Sequence, residues 1–197
     1  MAAPEVREAT SAARSHLTHE ELVAGMQALS PSADEAVVTR VVARQPEEGR
    51  QLLARGTLDV DEGLVGDKWA QGKRKRGEQV TLMRYDVALL MTRGGEVAIL
   101  GDNLFASIDT SEANLPAGTL LAVGDAQCRV TPKPHNGCSK FSARVGEAAW
   151  ALTSDPDWRA HRLRGIHLEV VESGSVCPGD RIRVLARSEH AAGDPEA

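Results

Sequence analysis

The chain has 197 residues, 42% of them apolar and 26% charged, with a formal charge of −5. That suits one domain of ordinary size with a real core, and it offers no general attraction for nucleic acid or anionic lipid. Only six residues are aromatic (Trp69, Tyr85, Phe105, Phe141, Trp150, Trp158), too few for a base-stacking platform.

No apolar run approaches the ~20 residues of a membrane span. The first residues carry charges where a secretory signal needs an apolar core. Cys128, Cys138 and Cys177 form neither a CxxC pair nor an even disulfide framework, so a reducing cytoplasm is the expected setting.

Residues 1–16 read as a small, polar, mobile tail. A helix with its linker follows over 17–35. Thr18 and Glu21 form a T-x-x-E capping box, Leu17 and Leu22 suit a hydrophobic staple, and Pro31 blocks continuation. This helix is expected to pack outside the main body. The β-branched run 36–45 then opens a strand-rich region. Further strands are expected within 47–60 and at 79–83, 97–100, 104–109, 166–172 and 181–185. The segment 119–130 reads as a hairpin turning at Gly124–Asp125, and 178–180 as a turn. Helices are expected at 86–93, stopped by Gly94–Gly95, and over 140–152. Residues 187–197 form a polar tail. Many short strands with few helices predict a mainly β (α+β) fold, a small barrel or sandwich with helical additions.

Several motifs fail on inspection. The stretch from Gly66 to Arg74 has one residue too many for a phosphate loop and lacks its hydroxyl. The acidic run 59–63 lacks the later carboxylate of a calcium loop. The densest basic run, 73–76, reads as a solvated loop tip or as a clamp for an anion.

The segment 131–144 is more informative. Pro132 and Pro134 stiffen the exit from a strand, Gly137 permits a sharp turn, and Cys138 stands just before a helical turn. His135, Lys140 and Arg144 surround it in sequence. Free backbone N–H groups and nearby cations favour a thiolate, which is both a nucleophile and a soft metal ligand. The plainer reading is a small buried residue, as for Cys128 and Cys177. Lys140 and Arg144, four apart, share one helix face, open either to solvent or to an anion. Around 63–69 and 101–104, Asp67, Asp102 and Asn103 sit in glycine-bounded turns.

Taken in order, GLVGDKW (63–69), QVTLM (79–83), GDNL (101–104), LPAGTLLAVGDAQCRVT (115–131), PHNGCSKFSARVG (134–146) and GDRIRVL (179–185) resemble the MOSC domain, named for the C-terminal domain of molybdenum-cofactor sulfurases. The likeness runs over about 36–186, which sets the expected domain. It implies a small closed β-barrel of the MOSC or pyruvate-kinase-barrel type with peripheral helices. It also implies a role for Cys138 as molybdenum ligand or sulfur carrier, with a molybdenum–pterin cofactor. His135, Asn136, Lys140, Arg144, Asn103 and Asp67 become the expected cofactor-binding residues, Lys140 and Arg144 holding the pterin phosphate. Larger relatives reduce N-hydroxylated compounds, so a small-substrate oxidoreductase with a separate electron-transfer partner is one expectation. A non-catalytic persulfide carrier, serving a sulfur donor or acceptor protein, is the other. The chain has no room for a pyridoxal-phosphate desulfurase domain, and neither nucleic acid nor a membrane is an expected partner. GDN stands where many relatives have Gly-Glu-Asn.

Overall fold

The structure is a computed structural model, and it describes residues 5–6 and 16–188. Most of the two expected tails, 1–16 and 187–197, lies outside the described residues. The strands are β1 (Glu5–Val6), β2 (Glu35–Arg44), β3 (Arg50–Leu52), β4 (Gly56–Asp59), β5 (Gly63–Leu64) and β6 (Val80–Met83). They continue as β7 (Leu104–Ala106), β8 (Leu120–Val123), β9 (Ala126–Pro134), β10 (Ile166–Glu172), β11 (Gly174–Val176) and β12 (Arg181–Ala186). The order β2-β12-β8-β9-β10-β6-β7, with β7 returning to pair with β2, closes a seven-stranded barrel. All its pairings are antiparallel except β6–β7. The long β2 achieves closure by changing partner along its length. Residues near Ala36 pair with β12, Val38–Val41 with β7, and Val42–Arg44 with β3.

Alternation along the strands sorts side chains between two cores. Val41 and Ala43, Leu82, and Leu104 and Ala106 fill the barrel. Their neighbours Val42, Met83 and Phe105 point outward into a second apolar cluster. That cluster is roofed by α1 (His19–Gln27), α2 (Tyr85–Met91), α3 (Ser139–Val145) and α4 (Glu147–Leu152). The capping box forms as expected: Thr18 Oγ1 accepts from the Glu21 amide, and Glu21 Oε2 accepts from the Thr18 amide.

Three expectations need correction. Residues 97–100 form a 3-10 turn rather than a strand. Glu96 caps the Ala98 amide, and Gly101, at φ 88°, ends the turn. The expected helix 140–152 is broken into α3 and α4 by Gly146, at φ 89°. A Cβ there would lie 2.4 Å from His16 Nδ1, so the break is also a close approach. Finally, Pro132 and Pro134 lie within β9, which runs on to face Ile166.

Candidate functional site

β9 and α3 are joined by only four residues, His135–Cys138, and the link is pinned from below. Trp150 Nε1 on α4 donates to the Gly137 carbonyl at 2.9 Å. A Cβ at Gly137 would lie 2.8 Å from Trp150 Cδ1, so glycine is what allows the indole to close on the loop. Phe141, one turn into α3, is buried and anchors the helix start. Cys138 is left exposed at the N-cap of α3. Partial burial raises its pKa, but the backbone N–H groups of Phe141 and Lys140 and the charge of Arg164 outweigh it. The thiol is more acidic than usual. Cys128 is the opposite case: sealed in the barrel, its thiol is pushed up to about 12.

Arg164 links the Cys138 loop to the barrel wall. Its guanidinium is buried over the Phe141 ring, 4.6 Å from the centroid, and donates to Asp102 Oδ2 at 2.6 Å. Asp102 is fully buried, and desolvation raises its pKa despite this cation. The other carboxylate oxygen lies 3.5 Å from His135 Nδ1. Burial and the Arg164 charge hold the His135 pKa well below its ordinary value, so the ring is neutral near pH 7. His167 lies beside it, ring centroids 4.4 Å apart.

On the α3 side stands a cluster of cations. Lys140 Nζ and Arg144 Nη2 reach the two oxygens of Glu48 at 2.5 and 2.6 Å. Arg50 lies 3.6 Å from the same carboxylate. These hydrogen bonds lower the Glu48 pKa to about 2. Lys68 feels Arg50, Arg44 and Lys140 as well as Glu48, and burial with these like charges lowers its pKa. The Glu47–Glu48 backbone is left-handed, at φ 54° and 65°, a conformation uncommon for two successive non-glycine residues.

Asp67 and Asn103 sit deeper. Asp67 caps the turn at Trp69 and binds the Arg44 amide and guanidinium. Arg44 keeps its carboxyl ionised although burial opposes this. Asn103 donates to Asp67 Oδ2 and to the Val42 carbonyl, and accepts from the Thr81 amide. These two residues therefore tie β2, β6 and the 63–69 turn together, with their polar atoms engaged within the protein. Asn136 is exposed beside His135.

Two clefts border this region. One, of about 100 Å³, is lined by His135, Asn136, Arg159, Arg162 and Arg164 among others. The other, of about 490 Å³, is lined by Arg44, Lys68, Trp69 and the basic run Lys73–Lys75. The sequence thus brings Cys138, His135, Asn136, Lys140 and Arg144 together. Sequence reasoning missed Arg164, Glu48 and Arg50, which come from distant elements without a local motif; Lys68 stood out only as a cation beside Asp67 in the 63–69 stretch. Asp102 was visible only as a turn residue. Among the described residues no group of three or more His, Cys, Asp or Glu side chains could hold a metal, and no helix is long and apolar enough to cross a membrane.

No curated protein matches this chain. Among solved structures, it is similar to a hypothetical protein at TM-score 0.60 and 17% identity, over 78% of this chain and 69% of that one. YiiM from Escherichia coli matches at TM-score 0.56 and 16% identity, over 78% and 71% of the two chains. The YuaD protein from Bacillus subtilis matches at 0.50 and 16%, over 76% and 95%. At these identities the likeness shows the fold, a closed seven-stranded barrel with few helices. The family model for the MOSC domain matches residues 67–183. The chain belongs to the MOSC domain family.

Proposed function

We propose that this protein binds a molybdenum–pterin cofactor through the Cys138 sulfur and serves an oxidoreductase reaction on a small substrate, such as reduction of an N-hydroxylated compound. The observation that carries this reading is an exposed, acidified thiol beside more positive charge than nearby carboxylates neutralise. The residues fit such a group. A thiolate is a soft donor suited to molybdenum. Arg50 is buried with its Nε lacking a hydrogen-bond partner, and Lys68 has no ion-pair partner among the described residues. Such cations favour a bound phosphate. Lys140 and Arg144, backed by Arg50 and Lys68, would hold that phosphate. His135 and Asn136 would line the approach to the sulfur. The bound group would supply oxo-transfer chemistry, while the chain supplies the anchor, the charge balance and the walls.

The test is elemental and pterin analysis of the full chain purified from a cofactor-replete host. Molybdenum and pterin should copurify, and Cys138→Ala should lose the metal while keeping its fold. Folded wild-type protein without either component would overturn the reading. The exposure of Cys138 also supports the persulfide-carrier alternative. An added sulfur on the Cys138 peptide, with no metal, would favour it.

A further inference from the structure

The smaller cleft carries a charge pattern that the cofactor reading does not use. Four of its lining residues are cationic: Lys133, Arg159, Arg162 and Arg164. Glu112 is the one lining residue with a carboxylate. The protein as a whole has charge −5, so this concentration runs against the average surface. The cations differ in how they are engaged. Lys133 and Arg162 make only loose ion pairs, each 3.6 Å from an acidic oxygen of Glu78 or Glu112, and Arg162 also donates to the Leu115 carbonyl at 2.7 Å. Arg159 is exposed and has no ion pair among the described residues. Arg164 is 6% exposed: one terminal nitrogen donates to Asp102 and the other to the Leu100 carbonyl, while its buried Nε has no hydrogen-bond partner.

The backbone is turned to bring these groups together. Arg162 is left-handed, at φ 48°, and Gly165, at φ 94°, closes on the Leu82 carbonyl. The cleft wall also includes His135 and Asn136, from the same short loop that carries Cys138.

From this arrangement we infer that the cleft is the substrate subsite and that it selects a small anionic molecule, a carboxylate or oxyacid of a few heavy atoms. The inference rests on the reading of Cys138 as the reacting centre. Its volume, about 100 Å³, suits a small acid. Partly desolvated arginines recognise planar oxyanions through paired N–H donors. A cationic cleft also raises the local concentration of an anion. A phosphate on the cofactor shares this chemistry, but it has its own cations around Glu48, on the α3 side.

Cys138 can report on the cleft without cofactor or turnover. Its alkylation by iodoacetate, an anion, is compared with alkylation by iodoacetamide, a neutral reagent of nearly the same size. Mass spectrometry of the Cys138 peptide reads each rate in the full chain. The iodoacetate-to-iodoacetamide ratio should exceed that of a free thiol by about tenfold, the lower end of focusing in a charged cleft. Sulfate should reduce the iodoacetate rate saturably and leave the iodoacetamide rate alone. Arg159→Ala and Lys133→Ala, both at exposed positions, should each bring the ratio down severalfold. A free-thiol ratio, or a salt effect that is the same for sulfate and chloride at equal ionic strength, would overturn the inference. So would protection by pyrophosphate but not by sulfate, which would make the cleft a phosphate cradle. No charge selectivity in the apoprotein, alongside molybdenum and pterin in protein from the cofactor-replete host, would sink this inference alone. Charge selectivity in the apoprotein, with neither molybdenum nor pterin in protein from the cofactor-replete host, would sink the cofactor reading alone.

Discussion

His135 Nδ1 faces Asp102 Oδ1 at 3.5 Å, and neither atom has a closer hydrogen-bond partner. The buried carboxylate favours the imidazole tautomer with its proton on Nδ1, which leaves Nε2 as the acceptor. Because Asp102 also holds Arg164, one buried group orients the histidine and the arginine that bears on Cys138.

Removing either half of the Asp102–Arg164 pair should therefore be costly. Asp102→Leu or Arg164→Met leaves one charge buried without its partner, a loss of about 3–5 kcal/mol. The double variant Asp102→Leu/Arg164→Met should lose less than the two single losses summed. Urea unfolding of the four proteins closes the cycle. Additive losses would show that the two groups act independently.

Arg164 also predicts the pH dependence of the thiol. In the wild type, Cys138 should react with iodoacetamide half-maximally below the pH of an ordinary thiol, because its backbone donors and Arg164 favour the thiolate. In the double variant, which removes the Arg164 charge without orphaning Asp102, that midpoint should move up. An unmoved midpoint would leave the backbone N–H groups as the sole cause.

The parts legible in the sequence are those made by neighbours in the chain. The Thr18–Glu21 box joins residues three apart in the chain. The β8–β9 turn at Gly124, at φ 59°, needs only its own glycine. The apolar run 97–100 carried no periodicity to separate strand from turn, and tertiary burial of Val97, Ala98 and Leu100 decided it. The exposed cysteine and its basic neighbours could be read from one loop. Their counter-charges could not, since Glu48 meets Lys140 across 92 residues and Asp102 meets Arg164 across 62. Residues 63–69 and 101–104 stood out for their glycines and acids, but only barrel closure shows Asp67 and Asn103 bonded to each other.

Glu48 gives a second pH prediction, with a definite sign. Its folded pKa, about 2, lies below the ordinary 4.5. The stabilisation it gives is present above that ordinary value and is lost as pH falls from about 4.5 to about 2. Thermal unfolding of wild type and Glu48→Gln should differ at neutral pH and converge in that acidic window. The same substitution leaves Lys140 and Arg50 without their shared carboxylate. Inorganic phosphate should then raise the unfolding temperature of Glu48→Gln more than that of wild type. An equal rise would argue against Glu48 standing where an anion can bind.

The three thiols should separate cleanly in an unfolding-coupled labelling experiment. Cys138 should label fast under native conditions, half-buried Cys177 more slowly, and Cys128 only on unfolding. Cys128→Ser places a hydroxyl among the barrel side chains and should cost about 1–3 kcal/mol if it finds no partner. Cys138→Ser, at an exposed position, should leave unfolding by urea unchanged within about 0.5 kcal/mol.

Gly165→Ala tests how tightly the arginine wall is tied to the barrel. The residue has φ 94°, and a Cβ would lie 2.4 Å from the Leu82 carbonyl oxygen and 3.1 Å from Met83 Cα. Both contacts are backbone, so no side chain can swing away to relieve them. Relief has to come from moving β6 or the 162–165 turn that presents Arg164. The substitution should therefore lower stability by more than the ~1 kcal/mol typical of a point change. It should also weaken the charge preference of Cys138 alkylation. A destabilised protein with an unchanged iodoacetate preference would show that the turn holds the barrel together without setting the position of the arginines.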